Sequence, residues 1–235
     1  MRIRLALALC AESGGVTIDS VKPPRVEAPN QAGRLVGCTE VEVTPKGLWC
    51  GFALDQQSFD RRAESYKVTL VGDRATRFEK MSAGKPAHLP ATEAARFELV
   101  YQGEDVAEVR HLSSAGRLLF RQLYEGGGKR VRYVDENGAP LLTLASTGAD
   151  RVLDALGLVI ELSHYVHKDK PRADADGVFR YKLVRDERGF VVEAHAFGPS
   201  GDATAGGDGA HRRLLERDSQ GKVTRVRRYD TALAP

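Results

Sequence analysis

Several residues in this chain are of types, and at spacings, that could do chemistry. Glu161 and Glu193 stand 32 residues apart and could serve as the acid and base of a glycoside hydrolase. Asp154, Asp186 and Asp218 repeat at the same interval of 32, in the way a calcium-binding β-roll repeats its ligands. His164 and His167 are three apart, and Cys38 and Cys50 flank the segment TEVEVTPKGLW. Gly126-Gly127-Gly128-Lys129 has the look of a phosphate loop.

Each of these has a structural reading that is stronger. Repetition by itself places two similar glutamates at equivalent positions, where cross-strand ion pairing with basic neighbours is expected. One aspartate per 32 residues is too sparse for a calcium roll, whereas an Asp followed three residues later by Gly is a turn signature. Histidines three apart on a strand point to opposite faces and cannot share a metal. His111 and His195 are single strand histidines. The glycine run lacks P-loop spacing and a following helix, so it reads as a hairpin connection. No GxSxG, HExxH or GxGxxG motif stands in a suitable context, and neither catalytic residues nor a cofactor are expected.

The element that positions these residues is a repeat. Leu153–Tyr165, Arg185–Phe197 and Arg217–Tyr229 share one register, with turns Asp154–Gly157, Asp186–Gly189 and Asp218–Gly221 spaced by 32. A second turn signal, Asp176-Gly177 and Asp208-Gly209, keeps that interval, and Lys168–Pro171 and Pro199–Asp202 come within one residue of it. Upstream, Gly84 and Gly116 are also 32 apart, and the unit around Gly138 is about ten residues short. The flanking runs are β-branched and aromatic, which favours strand. ADRVLDALGLVIEL (149–162) alone would pass as an amphipathic helix; its alignment with the other units predicts strand, turn, strand. Pro90–Arg96 is a candidate for one helical turn. The expected fold is all-β: tandem hairpin repeats of about 32 residues forming an extended antiparallel sheet or solenoid-like meander. Val159/Val191/Val223, Leu162/Ala194/Val226 and Tyr165/Phe197/Tyr229 are expected to stack as packing columns, and the aromatic column could alternatively bind sugar.

Composition is that of a globular chain, with 42% hydrophobic and 29% charged residues. The net charge of +3 is spread through interspersed residues, which argues against nucleic acid, although the last segment from His211 to Tyr229 is locally basic. There is no run of 18 apolar residues. The start, MRIRLALALC, looks like the end of a bacterial lipoprotein signal with Cys10 as the lipidated residue, although its apolar core is short and an ordinary cytoplasmic start remains open. The expected division is 1–10 a candidate signal or lipobox remnant, 11–36 a Pro-rich extended tether, 37–65 an N-terminal hairpin region and 66–235 the repeats. In 37–65, alternating Thr39–Thr44 and the turn Pro45-Lys46-Gly47 predict a hairpin that brings Cys38 near Cys50. The two could form a disulfide in an oxidising compartment or stay as buried thiols. Zinc is disfavoured, since no CxxC spacing accompanies them.

The pattern aromatic-x-aromatic-x-x-Asp-x-x-Gly-x-Val, followed by turns such as SAGKP or ENGAP, resembles bacterial YD-type repeats of RHS and teneurin-like proteins. It is also similar to MORN-like hairpin repeats. The likeness covers roughly 66–230. Leu153, Arg185 and Arg217 stand where the family's Tyr precedes the turn Asp, and the unit is longer than the family's. The resemblance implies a bacterial surface or secreted β-sheet that binds partners or carbohydrate and carries no catalytic residues. The reading that follows is a non-enzymatic binding or structural subunit of the cell envelope, with a protein partner or a second copy as its ligand and membrane contact solely through a lipid at Cys10. The alternatives are a cytoplasmic interaction module, such as an immunity or accessory protein, and a carbohydrate-active enzyme with its site in 37–100.

Overall fold

A computed structural model describes residues 33–89, 92–143, 145–166 and 170–233. Cys10 and His167 lie outside them, as does most of the segment expected to be a tether.

The chain is a meander of antiparallel hairpins, as its repeats require. β1 (Arg34–Cys38) leads into a hairpin of β2 (Val41–Thr44) and β3 (Gly47–Cys50), then β4 (Ala53–Leu54) and the short helix α1 (Gln56–Arg61). The upstream repeats follow as β5 (Ser65–Val71), β6 (Arg74–Ser82), β7 (Lys85–Pro86), β8 (Arg96–Gln102), β9 (Asp105–Leu112), β10 (Leu118–Glu125) and β11 (Arg130–Val134). The regular units supply β12 (Gly148–Leu153), β13 (Val159–Val166), β14 (Lys170–Pro171), β15 (Arg180–Arg185), β16 (Val191–Phe197), β17 (Arg212–Arg217) and β18 (Val223–Tyr229). All except β2 and β3 belong to one 16-stranded sheet running β18-β17-β16-β15-β13-β12-β11-β10-β9-β8-β6-β5-β1-β4, with β7 and β14 attached to β6 and β13. Among the described residues the sheet is open, with β18 at one edge and β4 at the other.

The 32-residue turn has one geometry in all three regular units. The amides of Asp154, Asp186 and Asp218 each donate to the carbonyl four residues on at 2.9 Å, and Gly157, Gly189 and Gly221 donate back to the aspartate carbonyls at 2.9–3.0 Å. Each Asp Oδ1 accepts the amides two and four residues later, as Asp186 does from Arg188 at 3.1 Å and Phe190 at 2.9 Å. The glycines have φ of +78°, +88° and +75°, a left-handed conformation in which a Cβ is strained, and a bulge in register follows each turn. Asp135–Gly138 and Asp174–Gly177 build the same turn. Residues 149–162 are accordingly strand, turn and strand.

Three local expectations need correction. Residues 34–36, expected as the end of the tether, are strand: Arg34–Val36 pair with Val68–Leu70 of β5 and continue the sheet. Residues 37–65, expected as a hairpin region, also hold α1, started by Asp55, whose carboxylate accepts the Ser58 amide at 2.7 Å. Thr92–Ala95 are a turn and coil, not helix.

One face of the sheet carries an aromatic row across six neighbouring strands: Tyr66, Phe78, Phe97, His111, Phe120 and Tyr133. Phe78 and Phe97 stack at 4.5 Å, and His111 stacks on Phe120 at 3.9 Å. Val41 and Val43 of the β2–β3 hairpin join Phe78, Phe97 and Leu99 in the main core. The opposite side of the same hairpin meets β12–β17: Trp49 packs edge-on against Phe190 at 5.3 Å, and Glu42 meets Arg185. Both sides of one hairpin can touch one face of a sheet only where the sheet curls around it.

Candidate functional site

The alternation that predicted the hairpin also assigns its two faces. Val41, Val43, Leu48 and Cys50 face the aromatic half of the sheet, while Glu40, Glu42 and Trp49 face the regular repeats. Cys38 and Cys50 are joined in a disulfide at the hairpin's base, so the sulfurs pair rather than remaining thiols.

The repeats hold the hairpin through the arginine that precedes each turn aspartate. Arg185 donates Nε to the Val159 carbonyl at 2.9 Å, Nη1 to the Gly189 carbonyl at 2.7 Å and Nη2 to Glu42 at 2.6 Å. Arg217, one unit later, donates to the Val191 carbonyl at 3.2 Å, the Gly221 carbonyl at 2.7 Å and Glu40 at 2.5 Å. Each arginine thus ties its own turn to the preceding unit and to one glutamate, Glu42 within β2 or Glu40 just before it. In the first unit Leu153 stands at this place. There Arg151 approaches the hairpin from the adjoining inner-face position and donates Nη2 to the Val43 carbonyl at 3.1 Å.

Between hairpin, α1 and the inner face of β10–β18 lies a cleft of about 990 Å³. Its floor is apolar, formed by Val131, Tyr133, Ala149, Leu162, Leu183 and Leu215. Its walls are cationic: nine basic residues line it against the three glutamates 40, 42 and 64. All three glutamates are in ion pairs, the last with Lys80 at 3.4 Å. Burial, reinforced by Glu64 and Glu40, pushes the Tyr66 hydroxyl up to about 12, and burial raises Tyr124 and Tyr133 as well, so these phenols stay neutral.

Asp154, Gly157, Asp186, Gly189, Asp218 and Gly221 form turns and do not converge on the cleft as ligands. Glu161 and Glu193 lie on the outer face, paired with Arg180 at 3.5 Å and Arg212 at 2.6 Å, and His195 contacts Glu193 at 2.7 Å. The aromatic column is covered by cations: Arg130 lies over Tyr165, Arg180 over Phe197 and Arg212 over Tyr229. Val159, Val191, Val223, Leu162 and Val226 line the cleft, so members of two expected packing columns face it. Gly126–Gly128 connect β10 to β11 as a hairpin turn.

Ser146, His164 and Asp174 form a row that sequence spacing did not reveal. Ser146 Oγ is 3.4 Å from His164 Nδ1, and His164 Nε2 is 3.7 Å from Asp174 Oδ2. The serine is wholly buried and meets Nδ1, whereas a serine nucleophile needs access and the Nε2 nitrogen. Burial holds His164 below its usual range, opposed by Asp174. The row is a packed polar contact. Among the described residues, no three His, Cys, Asp or Glu side chains are grouped to hold a metal ion.

No protein-family model and no curated protein matches this sequence.

The Arg185 and Arg217 clamps were missed because arginine before the turn aspartate reads as a solvated strand end. The available signal was the pairing of two Arg-Asp turns with a Glu-Val-Glu strand. The cleft had no linear signal, since its lining runs from residue 39 to residue 228.

Proposed function

We propose that this chain is a non-enzymatic binding protein built from β-hairpin repeats, and that it binds its ligand in the cleft between the β2–β3 hairpin and the repeat face. The observation that carries this reading is the cleft itself. At about 990 Å³ it is of the size and mixed polarity of small-molecule sites, and it lies where the repeats curl around an inserted element. The repeats act as a wall, and the hairpin, anchored by its glutamates and its disulfide, sets the cleft's width.

The Cys38–Cys50 bond supports an exported protein, since disulfides persist in oxidising compartments. A lipid on Cys10 would then hold the protein at a membrane surface. Native mass spectrometry of the protein gently isolated from its own cells tests the binding role. A single small-molecule adduct is expected on the folded chain. A bare chain that retains a protein partner instead would favour the interaction-module reading.

A further inference from the structure

The cleft has an uncompensated charge in its wall. Arg151 is 8% exposed and lines the cleft from β12. Nη2 donates to the Val43 carbonyl, the guanidinium lies 5.4 Å from the centre of the Tyr124 ring, and Nε has no hydrogen-bond partner. Among the described residues no carboxylate lies within 4.0 Å of it, in contrast to Arg185 and Arg217 on the same face. A buried guanidinium without a counter-charge is costly, and a buried donor without an acceptor adds to that cost. A counter-charge is what an anion seated in the cleft supplies.

The surroundings specify the rest of the ligand. Arg61, Arg62 and Lys222 line the same cleft without a carboxylate of the described residues within 4.0 Å, and Arg62 is occupied by the Glu64 carbonyl at 3.1 Å. Against these cations the floor presents Val131, Ala149, Leu162, Leu183 and Leu215, surface that no polar solute would cover well.

We propose that the cleft binds a small anionic amphiphile, with its acidic head on Arg151 and its apolar body along the floor formed by β11–β17. This rests on the cleft being the binding site and adds the chemical class of the occupant. Arg185 and Arg217 are already satisfied by glutamate and carbonyl oxygens, so Arg151 is the buried cation left to meet the head group. Arg61 and Lys222, both exposed, draw the anion toward the cleft.

Three probes sharing one tail separate the two claims: decanoate, decylammonium and decanol, titrated calorimetrically into the full-length disulfide-bonded protein. Decanoate is expected to bind one to one, more weakly as salt is raised, and at least tenfold more tightly than either other probe. Arg151→Gln should weaken decanoate at least tenfold and decanol much less, and Arg151→Lys should restore part of the loss. Should Arg151→Gln not fold, the exposed pair Arg61→Gln/Lys222→Gln should still lower decanoate affinity several-fold. Equal binding of all three probes would overturn the anionic class while leaving the cleft as an amphiphile site. Binding of none would overturn both. Decanoate affinity indifferent to Arg151 and to the rim pair would also overturn the assignment.

Discussion

Arg185 and Glu42, 143 residues apart in sequence, form a 2.6 Å ion pair that fastens the inserted hairpin to the second regular repeat. Side-chain exposures of 7% and 15% make this a largely buried pair, and the same guanidinium satisfies two carbonyls. Removing one member leaves the other charge stranded, so Arg185→Leu should destabilise the protein by about 3 kcal/mol. Denaturant unfolding checks this, and a double-mutant cycle with Glu42→Gln should show coupling of about 1 kcal/mol or more.

The turn glycines differ in what surrounds them, which separates backbone from packing effects. Gly177 has φ +80° with open space around a would-be Cβ, whereas Gly189 has φ +88° and Leu158 within 2.7 Å of that position. Gly177→Ala should cost about 1–2 kcal/mol for the left-handed backbone alone. Gly189→Ala should cost a further ~1–3 kcal/mol for overpacking against Leu158 and Trp49. Comparing the two midpoints in urea tests the difference.

The Cys38–Cys50 bond closes a loop with a sequence separation of 12 at the base of the hairpin. Reduction should lower stability by about 3 kcal/mol. Because the hairpin walls the cleft, reduction should also weaken ligand binding. Thermal melts with and without reductant, and decanoate titration of the reduced protein, measure both.

His111 gives the fold an acid-sensitive element. It is wholly buried between Phe97 and Phe120, and burial, slightly opposed by Gln122, lowers its pKa from 6.5 to about 4. The folded state therefore binds the proton less readily than the unfolded chain. Stability is full above pH ~6.5 and falls as pH drops toward ~4, by on the order of 3 kcal/mol from this group. His111→Phe should flatten that part of the stability profile, as read from urea midpoints at successive pH values.

The extent of the fold that could be read in the sequence follows from where its information is local. Asp186 and Gly189 announce their turn because all of its hydrogen bonds lie within five residues, and the 32-residue register carried the strands on either side. The hairpin and the proximity of Cys38 to Cys50 were also local, set by Pro45-Lys46-Gly47 and the Thr/Val/Glu alternation. The helix α1 escaped because six polar-rich residues give too little periodicity to see. The curl of the sheet was hidden for a different reason. It depends on Glu40 and Glu42 reaching Arg217 and Arg185, contacts of 177 and 143 residues' separation that no turn or period encodes. The cleft, a product of that curl, was hidden with it.

Trp49 is the sole tryptophan of the chain and lines the cleft, so it reports on the site directly. Titration with 10-bromodecanoate, whose heavy atom quenches indole fluorescence on contact, tests the functional account most directly. The account predicts saturable quenching of Trp49 that unbrominated decanoate reverses by competition and that Arg151→Gln shifts to at least tenfold higher concentration. Binding seen calorimetrically with Trp49 fluorescence unchanged would place the amphiphile elsewhere and contradict the account.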